Sequence, residues 1–217
     1  MREVQASEAK THLPQLFDEV ERSETVVITR HGRPSARLVP EAERRRAEIT
    51  EAVESIKRER VGRGPITAEE IVFDTGRAQV LTVLFVVDAS VAAAWAFEDE
   101  NTPDAALALE RLEASGAALV PGHWWFELRN ALLVNERRGW ITEAGTARFL
   151  RDIARLPVTV DRSPEETALL TLARRHRLTV HNAAYLELAR RKGLPLASLD
   201  GDLRRAAPAE GVPLLGA

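Results

Sequence analysis

Cysteine is absent from the 217 residues, which excludes disulfides and thiolate metal sites and fits a reducing cytosol. Long apolar runs are absent too. The most apolar stretch, "VLTVLFVV" at 80–87, falls far short of the roughly 20 residues that span a bilayer. The opening "MREVQASEAK" is polar and lacks the apolar core of a signal peptide. A cytoplasmic protein with no membrane partner is therefore expected. A large excess of either charge is missing as well. A net charge of -3 gives no global attraction for nucleic acid, so such binding must come from local patches. There is no P-loop, glycine-rich nucleotide fingerprint, Ser-His-Asp signature, internal repeat or low-complexity tract. The five histidines show no ligand spacing, and His176 and His181 read as surface or packing residues.

What is present is 45% hydrophobic and 29% charged, ordinary for a globular protein and enough for one large domain or two modest ones. The first forty residues read as a small α+β unit. Ser7, followed by Glu8, Ala9 and Lys10, suits a helix N-cap with an acidic first turn. Leu13, Leu16, Phe17 and Val20 form one apolar stripe, and Pro14 should kink or restart that helix. "TVVITR" and "SARLVP" flank the turn-forming "HGRP", which predicts a hairpin. A charged helix over 41–60 follows, with a thin stripe of Ile49, Val53 and Ile56. "VGRGP" breaks it, and "ITAEEIVF" restarts with Thr67 and Glu70 in capping-box register. This middle stretch has too little apolar surface to fold alone and should order only against another surface.

From Leu84 the pattern becomes alternating strands and helices. Strands are expected at "LFVVD", "AALVP", "PVTV", "LTV", "LPLAS" and "VPLL". Helices are expected near 90–98, 102–115, 123–138, 142–153, 164–176, from Asn182, and at 201–207. The alternation predicts an α/β domain with a mostly parallel sheet covered on both faces. Ligands of such sheets bind beyond the carboxyl ends of the strands. Asp88, Asp200 and Asn182 follow strands, and Glu127 lies on the helix after "LVPGHWW". Crowded carboxylates point to a hard divalent cation, and Mg²⁺ or Mn²⁺ would activate water against a phosphodiester. Each aspartate taken singly could equally be a helix N-cap. Asp202 is an alternative metal partner or the cap of the last helix.

Four motifs in order carry a family resemblance over the chain from about 84 to the end. "FVVDASVAAAWAFEDE" resembles the opening of a PIN-domain ribonuclease of the VapC toxin type. "FELRNALL" resembles its second motif, "HNAAYLELA" its third, usually written with Asp before Ala, and "PLASLDGDL" its fourth. The resemblance implies a three-layer α/β/α fold and an acidic quartet at Asp88, Glu127, Asn182 and Asp200. It places Ser90 beside the first aspartate and Asn130 one turn after Glu127. The substrate implied is RNA. The stretch "ASEAKTHLPQLFDEVERSETVVITRHGRPSARLVP" resembles a Phd/YefM-type antitoxin, which implies dimerisation, binding to operator DNA and a tail that covers a toxin. The expected domains are 1–40 for DNA binding, 41–79 for the tail and linker, and 84–217 for the nuclease.

Asn182 stands where the family carries a metal-binding aspartate. An amide keeps one oxygen acceptor but removes the charge, so metal affinity and activity should fall. Three origins fit: an engineered safeguard, natural decay in a silenced toxin, or tolerance with Asp202 or a water compensating. A fused, impaired toxin–antitoxin is the leading reading. The alternative is a dead PIN fold acting only as corepressor or oligomerisation module of a DNA-binding regulator.

Arg2, Lys10, Arg30, His31, Arg33 and Arg37 are the candidate DNA-contacting groups, with Arg44 to Arg46 as a further cluster. Arg77 is the candidate inhibitory arginine, since the resemblance implies that a tail guanidinium can enter the toxin's carboxylates. From Arg77 to Leu84 an extended chain spans at most about 25 Å, and Asp88 lies roughly 13 Å beyond the strand's start. That near-taut path predicts a homo-oligomer with tail contacts made wholly or partly between chains.

Overall fold

A mostly polar tetrapeptide that no periodicity marks as a strand begins the first sheet. In this computed structural model, which describes residues 2–22, 24–60, 84–100, 102–114 and 116–216, β1 runs over Arg2–Gln5 and buries only Val4. It lies parallel to β2 (Val26–Arg30), which pairs antiparallel with β3 (Arg33–Leu38). The hairpin is as expected. His31 and Gly32 both take positive φ, 53° and 74°, as a two-residue I′ turn requires. Between β1 and β2 come α1 (Ala6–Thr11) and α2 (Leu13–Glu21). Pro14 sits in the first turn of α2, where its missing N–H costs nothing, so the helix restarts there. Ser7 does not cap α1: Gln5 precedes the helix and Ser7 lies within it. Val4, Ala9, Leu16, Val20 and Val26 form the core of this unit, which spans residues 1–48.

The second unit spans 49–217 and includes the later half of α3 (Glu41–Arg58). Its sheet joins β4 (Leu84–Val87), β5 (Ala117–Pro121), β6 (Val158–Asp161) and β7 (Leu196–Ala197) in the order β6-β5-β4-β7, all parallel. Phe85, Val86 and Val87 are buried in succession, so both faces of β4 are covered, as in a parallel sheet between helices. The helices are α4 (Ala89–Ala94), α5 (Pro103–Glu113), α6 (Trp124–Arg137), α7 (Glu143–Ile153), α8 (Glu166–His176), α9 (Val180–Lys192) and α10 (Gly201–Ala209). The α/β class and parallel sheet expected from the sequence are what the chain forms.

Three strand assignments change. "LTV" is not a strand, because the Thr179 hydroxyl accepts the N–H of Asn182 and opens α9 at Val180. "LPLAS" contributes only the two residues of β7, and "VPLL" only the Leu196–Leu214 bridge. Pro195 and Pro213 flank these pairings and can accept but not donate, which keeps the ladder short.

The later half of α3 is ordered as expected, laid against the second unit. Ile49, Ala52, Val53 and Ile56 are buried in that unit's core. At about 2 kcal/mol for each of the three branched side chains, this burial is what a charged helix needs to stay folded. Ser55 donates to Asp152, Arg148 and Arg155 on and after α7 pair with Glu59 and Glu51, and Lys57 pairs with Glu113 of α5. For residues 49–60 these contacts are made within the chain. The restart at Thr67 and Glu70, and Arg77 with it, lie outside the described residues.

Candidate active site

Asp88 follows β4 directly and caps α4, accepting the Ser90 N–H at 3.3 Å. Its other oxygen accepts hydroxyl hydrogen bonds from Ser90 at 2.6 Å and Ser198 at 2.7 Å. Burial pushes this carboxyl above its usual range. The Ser90 and Ser198 hydrogen bonds oppose that rise, and the charge of Glu127 adds to it. Asp200 caps α10 through the N–H groups of Asp202 and Leu203, at 3.0 and 2.9 Å.

Glu127 stands on the first turn of α6 and is held from three directions. Tyr185 of α9 donates its hydroxyl to Oε2. The imidazoles of His123 and His181 lie 3.4 Å from Oε2 and Oε1 respectively. The two rings stack at 4.8 Å, with Tyr185 edge-on to His123 at 5.1 Å. Burial lowers the His123 pKa, Glu127 opposes this, and His181 adds to it. The Tyr185 phenol is raised by burial and by the negative charges of Asp88 and Glu127. Asn182 occupies the first turn of α9, its backbone N–H on Thr179 and its side-chain amide without a hydrogen bond among the described residues.

Asp88, Ser90, Glu127, Asn182 and Asp200 line one open cleft of about 230 Å³, together with Ala89, Ala93 and Ala131. It lies at the carboxyl ends of the parallel strands, where such sheets bind ligands. Asn130 is exposed and does not line the cleft, and Asp202 turns outward to pair with Arg205 at 2.8 Å. The donors are hard oxygens, the chemistry that Mg²⁺ and Mn²⁺ prefer, so the residue types fit such an ion. Among the described residues, no three His, Cys, Asp or Glu groups are placed to hold one, and the fourth oxygen of the cleft is an uncharged amide. Sequence reasoning missed Ser198, Tyr185 and His123 and set His181 aside as surface or packing. Ser198 sits two residues before Asp200, and His181 directly before Asn182.

In the first unit, Arg30 and Arg33 face each other across the hairpin, with His31 and Arg37 exposed beside them. Lys10 is exposed on α1. Arg2 is engaged, paired with Glu19 and Glu8, and Arg44 is bound within its own helix to Glu41 and Glu48. Among the described residues no helix is long and apolar enough to cross a membrane.

Comparison with known proteins also finds two parts, although the first extends beyond the unit that ends at residue 48. The family model for antitoxin Phd_YefM, type II toxin-antitoxin system, matches residues 1–66, and that for the PIN domain matches residues 85–208. Among solved structures, PAE2754 from Pyrobaculum aerophilum is similar at 23% identity, over 57% of this chain and 84% of that one, with a TM-score of 0.45. No curated protein matches the chain. With more than half of its length matched, the chain belongs to the PIN domain family, joined in one polypeptide to a Phd/YefM antitoxin domain.

Proposed function

We propose that this chain is a fused type II toxin–antitoxin protein, with a VapC-like endoribonuclease domain over 84–217 restrained by its own antitoxin segment over 1–79. The observation that carries this reading is the convergence of Asp88, Glu127, Asp200 and Asn182 on one cleft at the strand ends. A bound Mg²⁺ or Mn²⁺ would supply an activated water and offset phosphate charge there. Asp88, Glu127 and Asp200 would hold it, with the Asn182 amide in place of a fourth anionic ligand. Ser90 and Ser198 fix the Asp88 carboxylate, Tyr185 fixes Glu127, and the N–H groups at the start of α10 fix Asp200. Loss of one ligand charge weakens the site, so the chain as it stands cleaves slowly or not at all.

The antitoxin unit binds operator DNA in this reading. Arginines directly opposite each other destabilise a hairpin unless an anion lies between them, and Arg30 and Arg33 are so placed.

RNA cleavage tests the assignment. In the presence of Mn²⁺, the isolated segment 84–217 carrying Asn182→Asp should cut single-stranded RNA, and the same segment carrying Asp88→Asn as well should not. The full chain carrying Asn182→Asp should cut more slowly than the segment. No cleavage by any form would favour the corepressor reading, in which the PIN fold serves only the DNA-binding unit.

A further inference from the structure

A second cavity, of about 310 Å³, lies along the same carboxyl edge of the sheet as the acidic cleft. That volume is at the lower end of small-ligand pockets. Pro121 and Asp161, the last residues of β5 and β6, lie on its wall, and Val180 at the start of α9 flanks it. The strand order puts it on the β5–β6 side, while Asp88 and Asp200 mark the β4–β7 side.

Three features identify what would fit. Its floor is apolar, formed by Leu169, Ala184 and Leu188. Its acidic groups are already matched: Arg191 binds Asp161 and Glu187, and the Glu165 N–H also reaches Glu187. The lining therefore suits a neutral, flat group rather than a cation. At the mouth, the His181 side chain is 65% exposed, and Arg162 is exposed without an ion pair among the described residues.

The pocket and the acidic cleft share a wall. His123 and His181 line the pocket, and the same two rings lie against Glu127, which lines the cleft. His123 Nε2 is buried in that wall and makes no hydrogen bond, with Glu127 Oε2 3.4 Å away. A strand of nucleic acid with its phosphodiester in the cleft would bring a neighbouring base to the pocket. Single-stranded RNA is recognised by stacking such bases on aromatic rings, histidine included, with arginine on the phosphate.

Resting on the nuclease reading above, we propose that this pocket is the seat for the base of the nucleotide next to the scissile phosphate in single-stranded RNA. The base stacks on His181 over the Leu169–Leu188 floor, and Arg162 meets the phosphate. The pocket thus selects sequence beside a cleft that only cuts.

Mononucleotides test this on the full chain. In nuclear magnetic resonance titrations, adenosine or uridine 5′-monophosphate should shift the amides of Val180, His181 and Leu169, and ribose 5-phosphate should not. His181→Ala should weaken nucleotide binding about tenfold, the loss expected for one stacked base. His181→Phe should restore it, which a merely structural role would not predict, and Leu170→Ser on the exposed face of α8 should change nothing. Equal binding of ribose 5-phosphate, or shifts confined to Ala89 and Asn182, would overturn the assignment. RNA cleavage by the Asn182→Asp segment without nucleotide binding in the pocket would overturn the subsite and leave the nuclease reading standing. Nucleotide binding there without cleavage would uphold a base-binding pocket and remove the nuclease reading, and with it the pocket's place beside a scissile phosphate.

Discussion

The Ser55 hydroxyl donates to Asp152 at 2.7 Å, joining α3 to α7 across 97 positions of sequence. It lies beside the buried stripe of Ile49, Val53 and Ile56. Replacing Ile56 with Ala should lower the stability of the second unit by about 2–4 kcal/mol, the usual cost of truncating a buried Ile, read as a lower urea midpoint. Val53→Asp should release the helix altogether. Hydrogen exchange would then show residues 49–58 losing protection while β4 and β5 keep theirs. An unchanged midpoint and exchange pattern would mean that the helix adds nothing to this unit.

Restoring charge at the start of α9 should restore metal binding. Calorimetric titration with Mn²⁺ should show Asn182→Asp binding at least tenfold tighter than the unaltered chain, since affinity rises with ligand charge. Asn182→Ala should bind no more tightly than the unaltered chain. Equal affinities for all three would remove Asn182 from the ion's surroundings.

Glu210 sets a pH dependence of stability. His176, Arg175 and Arg190 surround its carboxylate, and the His176 and Arg175 hydrogen bonds hold its pKa below the usual 4.5. A depressed carboxylate binds fewer protons in the folded state, so its contribution is present above pH 4.5 and is lost as pH falls through the folded value. Glu210→Gln should cost about 2 kcal/mol at pH 7, the scale of hydrogen bonds to a charged group. The difference between the two proteins should shrink steadily in urea melts from pH 5 to pH 3. A constant difference would place the stabilisation in packing and not in charge.

Arg30 and Arg33 meet across the hairpin turn. Replacing both with Ala should leave the melting temperature unchanged or slightly raised, because like charges are removed from opposite positions. DNA affinity should fall, and the slope of log affinity against log salt should shrink by about two. Unchanged affinity in a filter-binding series would place the DNA surface elsewhere on this unit.

Where local pattern and tertiary role coincide, the sequence is readable. The continuous apolar run before Asp88 announces a doubly covered strand, and the stripe at 49, 53 and 56 announces a helix needing a partner. β1 was not legible, because three of its four residues are polar and exposed. "LTV" misleads because its β-prone residues precede a threonine cap, and the cap decides. The motifs point to the four residues that line the cleft, but not to the residues that hold them. Tyr185 meets Glu127 across 58 positions and Ser198 meets Asp88 across 110, and no local periodicity encodes such pairs. His181 shows no ligand spacing in the sequence, yet its neighbour through space is Glu127.

Because the helix bearing Val53 belongs to the same polypeptide as the α5 and α7 residues it meets, its local concentration does not depend on how much protein is present. A separate inhibitory chain dissociates on dilution or when it is selectively consumed, following mass action. Here neither route operates: thinning the solution a thousandfold leaves the helix as close to its groove as before. Only cutting the backbone between Arg60 and Leu84 turns this docking into a reversible encounter between two molecules.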